Sequence, residues 1–183
     1  FAALSAKEIL SSKGVKLPVV TTLHGTDITL LGKDKSFQSV IEYAINNSDV
    51  VTAVSKSLKN ETMESFDIKR EIQVIPNFID SKLYKNKSDQ ELRRSFAKDS
   101  EKIIIHISNF RKVKRVQDVL KVFAKIKEKT PSKLLLIGDG PERLEMEQLS
   151  RDMNLCDHIR FIGKLKAVEK VLSVSDLFLL PSE

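Results

Sequence analysis

The chain has 183 residues, of which 41% are hydrophobic and 31% charged, and its formal net charge is +6. This composition is ordinary for a globular protein, and no apolar run reaches the ~18 residues that a membrane-spanning helix needs. A single cysteine, Cys156, excludes an internal disulfide, and no Cys or His cluster with metal-ligand spacing surrounds it. We therefore expect a reducing, cytoplasmic setting, and the opening residues show no signal peptide.

Seven short apolar runs predict β-strands, and amphipathic stretches between them predict helices. In chain order the predicted strands cover residues 17–23, 49–54, 71–76, 102–108, 132–138, 158–163 and 176–181. One predicted helix carries its apolar face on Phe37, Val40, Ile41, Ala44 and Ile45. Another carries it on Val116, Val119, Leu120, Phe123, Ala124 and Ile126. Continuous apolar strands separated by helices predict parallel sheets covered on both faces, which is an α/β fold.

The alternation of strands and helices is interrupted by a polar, charged stretch at residues 77–100. An interruption of this kind is typical of a domain boundary. We predict one incomplete α/β unit at 1–80, a linker at 81–100 and a second incomplete unit at 101–183. The sequence opens on a helical segment without Met and closes just after a strand, so we expect a fragment of a longer protein.

Polar loops follow four of the predicted strands, where ligands bind in open parallel sheets. The first loop, HGTD, places His24 beside a glycine at a strand tip. A neutral imidazole there can hydrogen-bond a sugar hydroxyl or polarise a reacting oxygen, and the alternative is a histidine that caps the next turn. Asp27 of the same loop suits an N-cap or turn better than a general base. In contrast, His106 lies inside a strand and is predicted to have its hydrogen bonds satisfied there.

A cluster of basic side chains follows the fourth predicted strand. The loop SNFRKVKR spaces Arg111 and Lys114 so that both can point the same way and hold a diphosphate. A solvated basic turn is the alternative, and Lys112 and Arg115 are expected to face solvent. The fifth strand is followed by GDGPER, whose glycines allow a ligand to approach the backbone. A tight strand-to-helix connection would explain the same glycines.

The ordered segments LHGTD, VTAVSKSLK, IQVIPNFID, ISNFRKVKRVQDVL, LLLIGDGPER, IRFIGK and VLSVSDLFLLPSE together resemble the retaining family 4 glycosyltransferases. The resemblance covers nearly the whole chain and implies a GT-B fold of two Rossmann-like domains that face each other across a cleft. Within this family, LHGTDITLLG and IPNFID are most similar to the enzymes that act in bacillithiol biosynthesis. Those enzymes transfer N-acetylglucosamine from UDP-N-acetylglucosamine to the hydroxyl of L-malate. Such enzymes need no metal or other cofactor.

The resemblance also implies roles for individual residues. His24 would touch the donor sugar at the reaction centre, and Lys114, assisted by Arg111, would bind the donor diphosphate. Asn109 stands where the family usually has an arginine, which leaves the division of roles between Asn109 and Arg111 open. The remaining implied contacts are Gly138 and Gly140 beside the nucleotide, Gly163 and Lys164 at the uracil, and Thr26, Ser55 and Lys56 toward the acceptor.

Two parts of the family pattern are missing from the sequence. A glycine-rich loop should precede it and a Glu-x7-Glu motif should follow it, and Glu183 does not match the first glutamate of that motif. We therefore expect the fragment alone to be inactive. The expected partners are UDP-N-acetylglucosamine and L-malate, without nucleic acid or stable membrane insertion, and a homo-oligomer is left open.

Two alternatives remain. The first is a family 4 enzyme acting on a lipid or polysaccharide acceptor. The second is a non-catalytic nucleic-acid-binding module, since the basic excess favours an anionic partner. With 6% aromatic residues and no Trp, however, the chain shows no stacking platform for bases.

Overall fold

The computed structural model describes residues 2–25, 28, 34–85 and 89–182. The chain divides into two compact units, Phe1–Phe78 and Ile79–Glu183. In each unit the described strands form one fully parallel sheet. The α/β fold class and the seven predicted strands are therefore confirmed.

The first unit contains a three-stranded sheet in the order β1-β2-β3. Its strands are β1 (Val20–Leu23), β2 (Val50–Ala53) and β3 (Ile72–Val74). The helices that lie wholly within the described ranges are α1 (Ala2–Ser11), α2 (Lys35–Asn46) and α3 (Lys56–Ser65). Helix α2 begins after Asp34, whose carboxylate accepts the backbone N–H of Ser36, so a side chain satisfies one of the otherwise free helix-end donors.

The apolar face predicted for α2 is only partly buried by the described residues. Ile45 is buried in the core of the first unit and Ile41 packs against it. In contrast, Phe37 and Val40 each remain 44% exposed. The five residues thus share one helix as predicted, and the described residues leave two of them partly exposed.

The second unit contains a four-stranded sheet in the order β6-β5-β4-β7. Its strands are β4 (Lys102–Ile107), β5 (Ser132–Ile137), β6 (Ile159–Gly163) and β7 (Leu177–Phe178). Its helices are α4 (Gln90–Phe96), α5 (Val116–Lys127), α6 (Arg143–Asp152) and α7 (Val168–Ser173). Two short 3₁₀ turns, Lys112–Lys114 and Cys156–His158, precede α5 and β6.

Apolar side chains cover both faces of this second sheet. Alternate residues of β4 and β5 point to opposite sides: Ile104 and Leu134 belong to one core cluster, and Ile103 and Leu135 to another. The face predicted for α5 is confirmed, because its first four members are fully buried and the other two pack against the same core cluster. These residues are Val116, Val119, Leu120 and Phe123, with Ala124 and Ile126 beside them.

Helix α4 lies inside the stretch predicted as the linker. The Asp89 carboxylate caps it by accepting the N–H of Leu92, and Phe96 and Ala97 at its end pack against the core of the second sheet. Its seven residues are too few to give a clear helical period. This part of residues 81–100 is therefore a structural element of the second unit.

Within the described ranges, no helix combines the length and the apolar character needed to cross a bilayer.

Candidate functional site

The loops that follow β4 and β5 touch each other through their backbones. A Cβ atom on Gly138 would lie 1.8 Å from the carbonyl oxygen of Ser108, and one on Gly140 would lie 2.3 Å from that of Asn109. Gly138 also has a φ of +122°, which residues with side chains rarely adopt. Both glycines are needed for this close approach, so the two loops pack directly against each other at the carboxyl edge of the sheet.

Phe110 anchors the loop after β4. Its side chain is fully buried although its φ is +24°, and its carbonyl oxygen accepts the N–H of Glu142 at 3.1 Å. A non-glycine residue in this region costs about 1–3 kcal/mol, which the surrounding contacts must offset. Arg115, at the end of the same loop, also has a positive φ, and its Nε donates to Asp118 at 2.6 Å. The loop path is thus determined by packing and hydrogen bonds.

Lys114 is the half-buried cation of this loop. Its 3₁₀ turn is closed by its own N–H donating to the carbonyl oxygen of Arg111 at 2.7 Å. Arg111 and Lys112 are exposed, as is Asn109. Across the described ranges, no carboxylate lies within ion-pair distance of Lys114 or Arg111.

His106, inside β4, lies close enough to Lys114 to be affected by its charge. Burial lowers the pKa of the imidazole, and the ammonium of Lys114 lowers it further. The imidazole contacts the carbonyl oxygen of Leu179 and the hydroxyl of Ser108, both at 2.8 Å. The prediction of a strand histidine with satisfied hydrogen bonds is confirmed.

The carboxyl end of β6 joins the same edge. The N–H of Gly138 donates to the carbonyl oxygen of Gly163 at 2.9 Å, where the pairing of β5 and β6 shifts by one residue. Gly163 has a φ of +81°, and a Cβ there would lie 3.6 Å from the guanidinium of Arg143. Lys164 follows as an exposed residue. The structure therefore brings the predicted glycines and the basic loop to one edge of the second sheet.

In the first unit, His24 is exposed directly after β1. The N–H of Val54 donates to the carbonyl oxygen of Leu23 at 3.3 Å, so the loop after β2 begins beside His24. Ser55 has a structural task, because its hydroxyl accepts the N–H of Leu58 at 3.1 Å and caps α3. Lys56 is exposed at the first position of that helix. The predicted acceptor residue Thr26 and the neighbouring Asp27 lie outside the described residues.

Sequence reasoning missed an ionic group beside the glycine turn. The Asp139 carboxylate accepts the N–H of Gly140 at 2.9 Å and lies 3.9 Å from the guanidinium of Arg143. Arg143 in turn donates to Glu147 at 2.8 Å, one helical turn further along α6. The i, i+4 spacing of Arg143 and Glu147 was the available signal.

Two protein-family models match the chain. The model described as Glycosyltransferase Family 4 matches residues 1–83, and the model described as Glycosyl transferases group 1 matches residues 88–183.

Curated relatives match over most of the chain. It is 49% identical over 182 residues to the N-acetyl-alpha-D-glucosaminyl L-malate synthase of Bacillus anthracis, covering 99% of this chain and 47% of that protein. It is 25% identical over 187 residues to the alpha-monoglucosyldiacylglycerol synthase of Streptococcus pneumoniae, covering 93% and 42%. The chain thus spans about half the length of the curated relatives it matches.

Solved structures show the same fold at low sequence identity. Anabaena Alr3699/HepE in complex with UDP and glucose superimposes with a TM-score of 0.81 at 20% identity, covering 99% of this chain and 50% of that one. The lipopolysaccharide glycosyltransferase WaaG superimposes with a TM-score of 0.72 at 14% identity, covering 97% and 56%.

Proposed function

The chain belongs to the glycosyltransferases, with a family 4 domain at residues 1–83 and a group 1 domain at 88–183, and on that premise we propose a specific reaction. The protein that contains it transfers N-acetylglucosamine from UDP-N-acetylglucosamine to the hydroxyl of L-malate. The 49% identity to the Bacillus anthracis synthase carries this proposal, because it extends over 99% of the chain and so includes both units.

The second unit binds the donor in this proposal. The diphosphate of a UDP-sugar is anionic, and Lys114 is a half-buried cation without an ion-pair partner among the described residues. Arg111 lies in the same loop, and the glycine-lined edge formed by Gly138 and Gly140 lets a nucleotide approach the backbone. Gly163 and Lys164, which follow β6, are proposed to meet the uracil.

The first unit supplies His24 and the acceptor contacts. We place the exposed imidazole of His24 against the transferred sugar, with Thr26, Ser55 and Lys56 toward L-malate. The Ser55 hydroxyl oxygen already accepts a hydrogen bond as the cap of α3. Its contact with L-malate would therefore use the second lone pair of that oxygen or the hydroxyl proton.

The proposed chemistry retains the configuration of the sugar and uses no metal. Lys114 and Arg111 would stabilise the negative charge that develops on the departing UDP. The departing phosphate would take the proton of the malate hydroxyl as that oxygen attacks the same face of the sugar. The proposed location is the cytoplasm, where both substrates are expected.

The test is an activity assay of the full-length protein. We expect L-malate to be glycosylated with release of UDP, the product to keep the α configuration by NMR, and a metal chelator to leave the rate unchanged. Diacylglycerol is the comparison acceptor, because the chain is 25% identical to the alpha-monoglucosyldiacylglycerol synthase. Transfer to the lipid and not to malate would replace the proposal with the lipid alternative.

A further inference from the structure

His106 occupies a site that the reaction proposed above does not use. It is the only histidine among the described residues with no solvent exposure, and its ring lies between the ends of two neighbouring strands. One ring nitrogen, Nδ1, lies 2.8 Å from the carbonyl oxygen of Leu179, just beyond β7. The other, Nε2, lies 2.8 Å from the hydroxyl of Ser108, where the basic loop begins.

The partners fix which nitrogen carries the proton. A carbonyl oxygen only accepts hydrogen bonds, so Nδ1 must donate to Leu179. In the neutral ring Nε2 is then unprotonated, and it accepts the hydroxyl proton of Ser108. Burial favours this neutral form, as does the nearby ammonium of Lys114. The Ser108 hydroxyl is thus held inward, toward the strand.

Ser108 is the first residue after β4 and begins the basic loop. Its N–H still pairs with Ile137 of β5, and its carbonyl oxygen is the atom that a Cβ on Gly138 would meet at 1.8 Å. Two residues further on, the strained Phe110 packs with its ring centre 6.2 Å from that of His106. The imidazole therefore contacts both the first residue of the loop and its buried anchor.

We propose that His106 is a positioning residue for nucleotide binding: it fixes Ser108 and Phe110 and thereby sets the loop that presents Asn109, Arg111 and Lys114 to the donor diphosphate. This inference rests on the proposed function, because it assumes that UDP binds at this edge. His106 itself is fully buried, so in this proposal it acts through Ser108 and Phe110 and does not touch the nucleotide.

A matched pair of substitutions separates positioning from simple packing. Asn places its amide nitrogen at the same distance from Cα as Nδ1, so His106→Asn retains a donor for Leu179 and loses the acceptor for Ser108. Gln reaches as far as Nε2, so His106→Gln retains an acceptor for Ser108 and loses the donor for Leu179. Both variants lose the ring packing on Phe110, and we expect both to lower the melting temperature to a similar extent.

The measurement is the dissociation constant for UDP in the full-length protein, by calorimetry, beside the melting temperature. We expect His106→Asn to weaken UDP binding by up to about tenfold, the result if the whole free energy of the lost Ser108 hydrogen bond is transmitted to the loop, and His106→Gln to stay within about threefold of the unsubstituted protein. Equal UDP affinity in the two variants, at equal melting temperatures, would overturn the proposal.

Removing the serine tests the same contact from its other side. We expect Ser108→Ala to weaken UDP binding as His106→Asn does, and the double variant to bind no worse than the weaker single one. Ser132→Ala is the control, because this serine is buried at the start of β5, and within the described ranges its hydroxyl bonds only to the carbonyl oxygen of Thr130. We expect it to bind UDP normally.

Ser108→Ala with normal UDP affinity would also overturn the proposal, even if the His106 variants do not fold. A failure of the proposed function looks different: without a UDP-sugar donor the unsubstituted protein would bind no UDP, and with another acceptor it would bind UDP normally but leave L-malate unglycosylated.

Discussion

Lys114 is the residue on which donor affinity should depend most directly. We expect Lys114→Ala in the full-length protein to weaken UDP binding by about 1.5–3 kcal/mol, the usual range for a hydrogen bond to a charged group. Calorimetry with UDP measures this loss. Lys121→Ala is the matched control, since that lysine is exposed on α5, and we expect its affinity to be unchanged. Equal affinities in the two variants would remove Lys114 from the site.

His24 is expected to act on the reaction rather than on nucleotide affinity. It is exposed at the end of β1 and is proposed to contact the sugar that is transferred. We therefore expect His24→Ala to lower kcat by about 10²–10⁴-fold, the range for general acid-base groups, with UDP affinity within about twofold. Steady-state kinetics and UDP titration of the same variant measure the two effects, and an unchanged kcat would contradict the role.

At the scale of single residues, candidate site residues could be predicted from the sequence where a reactive or charged residue type stands at the end of a predicted strand. A histidine and a basic cluster at strand ends could be recognised from residue type alone. The roles of Ser108 and Phe110 could not, because they depend on a carbonyl oxygen close to Gly138 and on a positive φ, which side-chain chemistry does not reveal. The capping role of Ser55 was also missed, because it depends on the position of its hydroxyl relative to the N–H of Leu58.

At the scale of elements, the contact between the loops after β4 and β5 requires a residue without a side chain at Gly138, and a substitution tests this requirement. We expect Gly138→Ala to destabilise the protein by about 2–4 kcal/mol, because it adds a clash with the Ser108 backbone to an unfavourable φ. Gly14→Ala is the control, since Gly14 also has a positive φ, +78°, but an added Cβ would meet nothing within 4 Å.

Gly14→Ala should therefore cost only about 1–2 kcal/mol, the penalty for the backbone conformation alone. Urea unfolding measures both variants. Equal losses would mean that the loops can separate without cost.

Asp176 fastens α4 to the second sheet and should make its stability sensitive to acid. Its carboxylate accepts the N–H of Ile103 at 2.7 Å and pairs with Arg93 at 3.0 Å and Lys102 at 3.3 Å. Burial alone would raise the pKa of this carboxyl group, but these three partners outweigh it and the pKa is lowered. The stabilisation is therefore present above the ordinary carboxyl pKa and is lost as the pH falls through the lowered value.

We expect Asp176→Asn to lower the free energy of unfolding by about 1–2 kcal/mol at neutral pH, a modest value because the carboxylate is partly solvated. The difference from the unsubstituted protein should begin to shrink below about pH 4, where the carboxyl group of the unfolded chain becomes protonated, and should vanish once the pH is also below the lowered pKa of the folded state. Urea unfolding across this pH range is the measurement. Asp99→Asn is the control, because its ion pair with Arg94 is exposed, and a similar loss there would contradict a specific role for Asp176.

Elements with a strong hydrophobic signal were predicted well, and the others were not. The buried strands β4 and β5 were placed within one residue of their observed ends. Helix α4 escaped prediction because its position depends on a capping aspartate and on tertiary contacts of Arg93 with Val174 and Asp176. Such contacts join residues more than eighty positions apart, so no local window contains them.

At the scale of the whole molecule, the net charge of +6 is a poor guide to partners, because acids neutralise many of the basic residues locally. The sequence has 31 Lys and Arg against 25 Asp and Glu. We expect no binding to duplex DNA at about 0.15 M salt, and UDP binding that persists there. Fluorescence anisotropy with labelled DNA checks this. Tight DNA binding with a steep salt dependence, without UDP binding, would support the nucleic-acid alternative.

The fold class of the whole chain followed from the alternation of apolar strands and helices, and the family followed from motifs at strand ends. The specific acceptor did not follow from physical chemistry, because a hydroxyl on malate and one on a lipid make the same demand on the reacting centre. That distinction rests on similarity to a relative and needs the enzyme assay.

The close backbone contacts of Gly138 and Gly140 with Ser108 and Asn109 have a consequence for inhibitor design. If the donor binds at this edge as proposed, a surface held by such contacts has little conformational freedom left to lose on binding, so affinity is gained mainly from complementary shape and charge. Inhibitors of this edge can therefore be designed against a single backbone conformation. Rigid compounds are preferable to flexible ones, because they lose less conformational entropy on binding.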